Sequence, residues 1–219
     1  MIYNELVSGV IATVVAYLVG AFPTAYVTTR LFTGQDIRQL GSGNVGANTT
    51  YREVGPVAGI IVGIVDIGKG AVAIAIAHVI VDIPFFELNH ESNYFLVIAG
   101  LAAVTGHVWP VYLRFTGGNG VATAIGTLII LLPRELGIAC ALILLLWAVT
   151  RNLIMSVYIS WLSVPLSAWF LEKDWLYVGY SLAMIAVLVL VFIPTAKAAL
   201  IKAGSRSNLM AELLRRDKR

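Results

Sequence analysis

The chain runs as long apolar stretches broken by short polar ones. Seven apolar stretches stand out, at residues 6–31, 54–83, 94–113, 121–133, 136–150, 153–171 and 175–194. A helix that crosses hydrocarbon needs about 20 mostly apolar residues. The first, third, sixth and seventh stretches meet that length. The fourth and fifth are shorter and are separated only around Pro133-Arg134-Glu135. They predict either two short spans joined by a tight hairpin or one long bent helix. The second stretch is interrupted by Asp66 and Lys69. The part before them, residues 56–65, would reach only about 15 Å as a helix and cannot cross alone. Two readings follow. Either Asp66 and Lys69 are buried at mid-depth in a continuous span, or 56–65 re-enters from the inner face and turns at Gly68 and Gly70. Irregular backbone at that depth is tolerated only where protein or a watery cavity surrounds it.

Composition sharpens this pattern. Of 219 residues, 59% are hydrophobic and 12% charged, with a mean hydropathy of +0.87. Soluble domains carry about twice that share of charge, and disordered chains need low hydrophobicity. Both classes are excluded. The expected fold class is an all-α polytopic membrane protein with about seven transmembrane helices. Charge sets the orientation. With the N-terminus outside, the inner loops and the C-terminus hold Arg30, Arg38, Arg52, Arg114, Arg151, Lys197, Lys202, Arg206, Arg215, Arg216, Lys218 and Arg219. These are 12 of the 15 basic residues. The outer loops collect Glu5, Asp82, Glu87, Glu91, Glu135, Glu172 and Asp174. Such a bias places the C-terminus in the cytoplasm. It also favours two spans over one at 121–150, since a merged span would put Arg151 and the basic tail outside. Residues 1–203 are expected to form a single transmembrane domain, and 204–219 a basic cytoplasmic tail lying on the membrane surface. No basic n-region opens the chain, and 20–24 are expected to continue the first helix rather than form a cleavage site. The pI near 9.1 reflects cations flanking spans, not nucleic-acid binding. The lone Cys140 lies in an apolar stretch and carries no metal-site spacing.

Three polar islands break the apolar pattern, all expected at or near the inner face. The first is Gly41-Ser42-Gly43-Asn44-Val45-Gly46-Ala47-Asn48-Thr49-Thr50-Tyr51-Arg52. Its glycines permit positive φ and close backbone approach. Successive backbone N–H groups can form an anion-binding concavity, and Arg52 offers a bidentate fork for phosphate. The second is Asp66-Ile67-Gly68-Lys69-Gly70, whose two charges sit at i,i+3 on one helix face and can pair. Ionisable residues inside spans are functional by default. The third joins Gly106-His107-Val108-Trp109-Pro110 to Phe115-Thr116-Gly117-Gly118-Asn119-Gly120-Val121-Ala122-Thr123, a glycine-rich turn that opens a helix. His78 and His90 are expected to be structural, and Trp109 and Tyr112 to anchor the interface. A Walker A loop is absent. Gly41-x-Gly43-x-x-Gly46 follows a helix instead of a strand, so a dinucleotide site is excluded on context. Cys, His and acidic residues do not cluster at metal-ligand spacing. What remains is phosphate chemistry beside an apolar groove, which suggests an enzyme joining a water-soluble phosphate to a lipid.

In this order the three islands resemble the motifs of the integral-membrane, acyl-phosphate-dependent glycerol-3-phosphate acyltransferases of bacterial phospholipid synthesis, over about residues 20–160. The resemblance implies seven helices, an external N-terminus and a multi-pass protein with its site facing the cytoplasm. It implies acyl phosphate and glycerol 3-phosphate as substrates, membrane lipid as surroundings, and no cofactor, metal or nucleic acid. Carried over residue by residue, it implies Ser42, Arg52 and His107 as catalytic. It implies Gly41, Gly43, Asn44, Gly46, Asp66, Lys69, Gly70, Gly117, Gly118, Asn119, Gly120 and Thr123 as substrate-binding. The chain departs from the family pattern at Asn48-Thr49, usually Thr-Asn, and at Asn119, usually Lys. The family's His-x-x-Asn after the last span is also missing, where residues 194–200 read Pro-Thr-Ala-Lys-Ala-Ala-Leu. A divergent paralogue with lost or altered activity is one alternative, and a small transporter of a phosphorylated solute is another.

Overall fold

The computed structural model describes residues 2–82 and 93–203. Among them every regular element is helical. Five helical segments there are long and apolar enough to cross a membrane: Glu5–Thr33, Pro56–Val81, Tyr94–Leu113, Pro133–Thr150 and Trp175–Ile193. Val121–Leu131 and Met155–Leu171 are shorter apolar helical segments. His90, Glu87, Glu91 and the tail at 204–219 lie outside the described residues. Contacts group the chain into two compact units, Met1–Leu131 and Leu132–Arg219.

The first unit contains α1 (Ile2–Gly20), α2 (Thr24–Thr33), α3 (Ala47–Glu53), α4 (Pro56–Val81), α5 (Asn93–Val108) and α6 (Val121–Leu131). The stretch expected as one helix over 6–31 is broken at Ala21-Phe22-Pro23, so 20–24 do not continue it. Pro23 has no N–H to give the α1 ladder, and its ring disfavours helical backbone at Phe22. The second stretch resolves the other way. α4 is one continuous helix of 26 residues, opened by Pro56 at its first position, and Gly68 and Gly70 lie inside it. Asp66 and Lys69 are therefore buried in a span rather than exposed at a re-entrant turn.

α4 packs against α1, α2, α3, α5 and α6, with a further α1–α5 seam beside it. Small residues face inward: Ala16, Ala73, Ala77, Ala99 and Ala103 are fully buried. Leu6, Val10, Val14, Ile64 and Val79 point outward and are exposed. Lipid is as apolar as leucine, so membrane helices gain little by hiding large side chains and associate through close backbone approach instead. Glycines set that approach. A methyl on Gly106 would strike the Tyr17 carbonyl, one on Gly70 the Thr123 carbonyl, and one on Gly126 the Ile67 carbonyl.

The second unit contains α7 (Pro133–Thr150), α8 (Leu153–Ser160), α9 (Ser163–Leu171) and α10 (Trp175–Ala203). The chain starts a new helix at Pro133, in line with two helices over 121–150. Glu135 is not in a loop as expected. It lies in the first turn of α7 and is fully buried, with neither carboxylate oxygen hydrogen-bonded among the described residues. Arg134 beside it pairs with Glu172 at 2.7 Å. The expected span at 153–171 is kinked at Trp161-Leu162. Pro165 explains the kink: it cannot donate to the Trp161 carbonyl, and Val164 N–H takes that carbonyl instead at 3.2 Å. Asn152 caps α8 by accepting from Met155 N–H at 3.0 Å. Trp169 and Trp175 pack with tilted rings, centroids 4.3 Å apart, across the α9–α10 turn.

Candidate active site

The first island forms a loop followed by the short α3. Gly41 and Gly43 adopt φ of +52° and +72°, left-handed backbone that suits glycine. Gly43 N–H donates to the Leu40 carbonyl at 2.9 Å, closing the turn. Ser42 is exposed, and its hydroxyl lies 3.2 Å from that of Thr49. Asn44 N–H reaches Ser42 Oγ at 3.5 Å. Gly46 caps α3, and its carbonyl accepts from the Thr50 hydroxyl at 3.1 Å. Arg52 sits in the last turn of α3 with its side chain exposed. Just ahead of the loop, Asp36 accepts from Arg38 at 2.7 Å, which holds the Asp36 carboxyl below its usual range. Arg30 and Arg38 both lie over the Tyr26 ring, at 5.9 and 5.6 Å.

The third island is packed through its backbone. α5 ends at Val108, and a tight loop turns at Pro110, whose carbonyl accepts from Leu113 and Phe115 N–H at 3.1 and 2.9 Å. Arg114 and Phe115 take φ of +53° and +62°, a conformation that costs side-chain-bearing residues about 1–2 kcal/mol each. The loop then returns to the end of α5. Gly118 N–H donates to the His107 carbonyl at 3.1 Å, and Val45 N–H of the first island reaches the Gly117 carbonyl at 3.4 Å. A methyl on Gly118 would fall on His107 Nε2 and on the Val45 carbonyl. Only a bare backbone fits between the imidazole and the first island. Asn119 is half-buried, and Gly120, at φ +83°, precedes α6. Thr123 is fully buried in the α4–α6 seam opposite Gly70. Both of these residues therefore hold the helices together there.

The second island supplies the centre. Lys69 Nζ lies 2.8 Å from Asp66 Oδ1 and donates to the Phe22 carbonyl at 3.0 Å. His107 Nδ1 lies 3.7 Å from the same Asp66 oxygen. All three side chains are more than nine-tenths buried. They line one cavity of about 10 Å³ with Ala21, Phe22, Pro23, Thr24, Val45, Pro110, Leu113 and Gly117. The three islands, far apart in sequence, thus meet at one point in the first unit. Ser42 and Arg52 do not line this cavity. Sequence reasoning missed Phe22 and Thr24, and it named Pro110 only as part of the third island. The signal for the first two was Pro23 inside an apolar stretch, followed by Thr24, Thr28 and Thr29 on the buried face of α2.

Fold and site together define a helical integral-membrane protein with a buried acid–lysine–histidine cluster beneath two glycine-rich loops. Comparison with known proteins narrows that class. Residues 10–202 match the family described as glycerol-3-phosphate acyltransferase. The chain is 40% identical over 202 residues to glycerol-3-phosphate acyltransferase 2 of Dehalococcoides mccartyi, covering 92% of each chain. It is 37% identical over 199 residues to glycerol-3-phosphate acyltransferase of Lactiplantibacillus plantarum, covering 90% of each. Its fold is similar to the crystal structure of PlsY, an integral membrane glycerol 3-phosphate acyltransferase, in its glycerol 3-phosphate form. The TM-score is 0.76 at 26% identity, over 89% of this chain and 93% of that one. The lysophosphatidic acid form of PlsY matches with a TM-score of 0.74 at 25% identity. The chain belongs to the glycerol-3-phosphate acyltransferase family.

Proposed function

We propose that this protein transfers a fatty acyl group from acyl phosphate to glycerol 3-phosphate, with its site facing the cytoplasm, its N-terminus outside and its C-terminus inside. Membership of the family supports the acyltransferase reaction and the acceptor. The donor and the orientation rest on the motif resemblance and on the distribution of lysine and arginine. The observation that carries the reading is the meeting of all three glycine-bearing motifs at the Asp66–Lys69–His107 cavity. The transporter alternative is not favoured, because every relative named above is an acyltransferase.

The chemistry asks little of the protein beyond placement. A hydroxyl of glycerol 3-phosphate attacks the acyl carbonyl, a new ester C–O bond forms, and the bond from the carbonyl carbon to the phosphate oxygen breaks. Inorganic phosphate leaves, and its oxygen can accept the hydroxyl proton. An acyl phosphate is already a mixed anhydride, so alignment and anion stabilisation supply the rate. In this reading Ser42, Asn44 and Arg52 hold a phosphate at the entrance, with the backbone of Gly41, Gly43 and Gly46 close to it. Lys69, positioned by Asp66, serves the inner end. His107 and the run Gly117-Gly118-Asn119-Gly120 complete the donor side.

The test is phosphate release by the purified protein from acyl phosphate and glycerol 3-phosphate, without coenzyme A. Arg52→Ala is expected to lower turnover by about 10–100-fold, the loss of a charge-assisted hydrogen bond, with an unchanged unfolding midpoint because the side chain is exposed. Wild-type turnover in that variant would remove Arg52 from the site. A silent wild type that Asn119→Lys awakens would instead identify a paralogue disabled in its third motif.

A further inference from the structure

The break between α1 and α2 does more than bend a span. It frees the Phe22 carbonyl from the α1 ladder, and that oxygen accepts both Lys69 Nζ and Thr24 N–H, each at 3.0 Å. The ammonium group has three donors. The Phe22 carbonyl takes one of them and Asp66 lies at ion-pair distance, which leaves at least one donor unassigned among the described residues. Thr24 lies beside it as the first residue of α2. The residue is 5% exposed, and its hydroxyl has no hydrogen-bond partner among the described residues. Elsewhere Thr13, Thr33, Thr50 and Thr150 quiet their hydroxyls on the carbonyl four residues back, within their own helix or its cap. Thr24 has no preceding helical turn to use, because the chain breaks just before it. The first-turn N–H groups of α2 likewise lack intrahelical acceptors and carry the positive end of the helix dipole.

Lys69 and Thr24 line the same cavity of about 10 Å³, room for a single oxygen atom the size of water. Two unspent donors, one of them cationic, at a helix N-terminus suit an anionic oxygen. We infer that Thr24, with Lys69 and at the positive end of α2, binds one phosphate oxygen of the acceptor, glycerol 3-phosphate. Thr24 is thereby a substrate-binding residue outside the three glycine-bearing motifs. The inference rests on the acyltransferase reading above for its choice of ligand.

The experiment compares wild type with Thr24→Val, which keeps the shape and removes the hydroxyl, and Thr24→Ser, which keeps the hydroxyl. Acceptor and donor KM are measured separately, and glycerol 3-phosphate binding to the purified protein is measured without donor. Thr24→Val is expected to raise the acceptor KM and the acceptor Kd by about 10-fold, the scale of one hydrogen bond to a charged group. The donor KM should stay within about twofold and Thr24→Ser should match wild type. An unchanged acceptor KM and Kd in Thr24→Val would overturn the assignment. So would equal impairment of both variants, which would mark a structural role, or a change confined to the donor KM. If wild type binds glycerol 3-phosphate yet shows no turnover, the acyltransferase reading fails. The subsite then stands or falls on the Kd of Thr24→Val alone.

Discussion

Lys69→Met is expected to abolish turnover and destabilise the fold. The substitution keeps the length of the side chain and removes the only cation that contacts Asp66 at hydrogen-bond distance among the described residues. The Asp66 side chain is 2% exposed, so its carboxylate would be left in a low-dielectric interior without a counter-charge. Breaking a buried pair from one side costs about 3–5 kcal/mol, whereas replacing both partners with neutral groups is often nearly neutral. The double variant Asp66→Asn/Lys69→Met should therefore recover most of the lost unfolding midpoint in detergent. Its turnover should stay at least about 100-fold below wild type, because the proposed reading relies on the Lys69 donor, which is gone. Recovery of stability together with activity would show that the pair only neutralises charge in the membrane. An unchanged midpoint in the single variant would show that Asp66 is not committed to Lys69.

The second large effect is expected at Gly118. An added methyl would overlap the His107 imidazole at Nε2 and crowd the Val45 carbonyl. Neither is the free end of a flexible chain. His107 is held from behind by its approach to Asp66, and its own carbonyl is tied to Gly118 N–H. Gly118→Ala should cost about 1–3 kcal/mol of stability through overpacking. It should also lower kcat by about 100-fold, the usual effect of displacing a site by about an ångström. Gly137→Ala is the matched control. Nothing lies within 4 Å of a methyl at that helical position on α7, so activity should be unchanged and the midpoint equal or higher, since alanine is favoured over glycine in a helix. Equal behaviour of the two variants would mean that the imidazole moves aside freely and that its contact with the loop has no function.

Both predictions depend on residues visible in the sequence but on neighbours that were not. Asp66 and Lys69 could be paired from their spacing, and the three glycine-bearing islands could be recognised from their order. Two readings of α4 stayed open, because a charged pair in a hydrophobic stretch fits either a buried span or a re-entrant turn. The continuous helix resolved them: the α1–α2 break and His107 of α5 meet the pair and remove the need for the chain to turn away from lipid. The breaks at Pro23 and Trp161-Leu162 went unseen for a related reason. Membrane helices tolerate proline inside a span when neighbours satisfy the freed groups, so a proline in an apolar run does not by itself mark an end. At the Pro23 break the freed Phe22 carbonyl is met by Lys69, 47 residues along the chain from Phe22. Pro133-Arg134-Glu135 splits two apolar stretches and so reads as an outer loop. Pro133 instead starts the helix, its missing N–H being harmless at a first position, and the carboxylate goes inside.

The amino-acid order by itself determined that the chain is helical and lipid-embedded, and that its few interior polar groups must find partners inside the protein. Hydrocarbon cannot satisfy a bare backbone or a lone charge, so composition alone forces those outcomes. Tertiary structure decided which polar groups meet. His107 and the Phe22 carbonyl reach the Asp66–Lys69 pair because glycine seams let α1, α4, α5 and α6 approach backbone to backbone, and such contacts leave no periodic trace in a sequence.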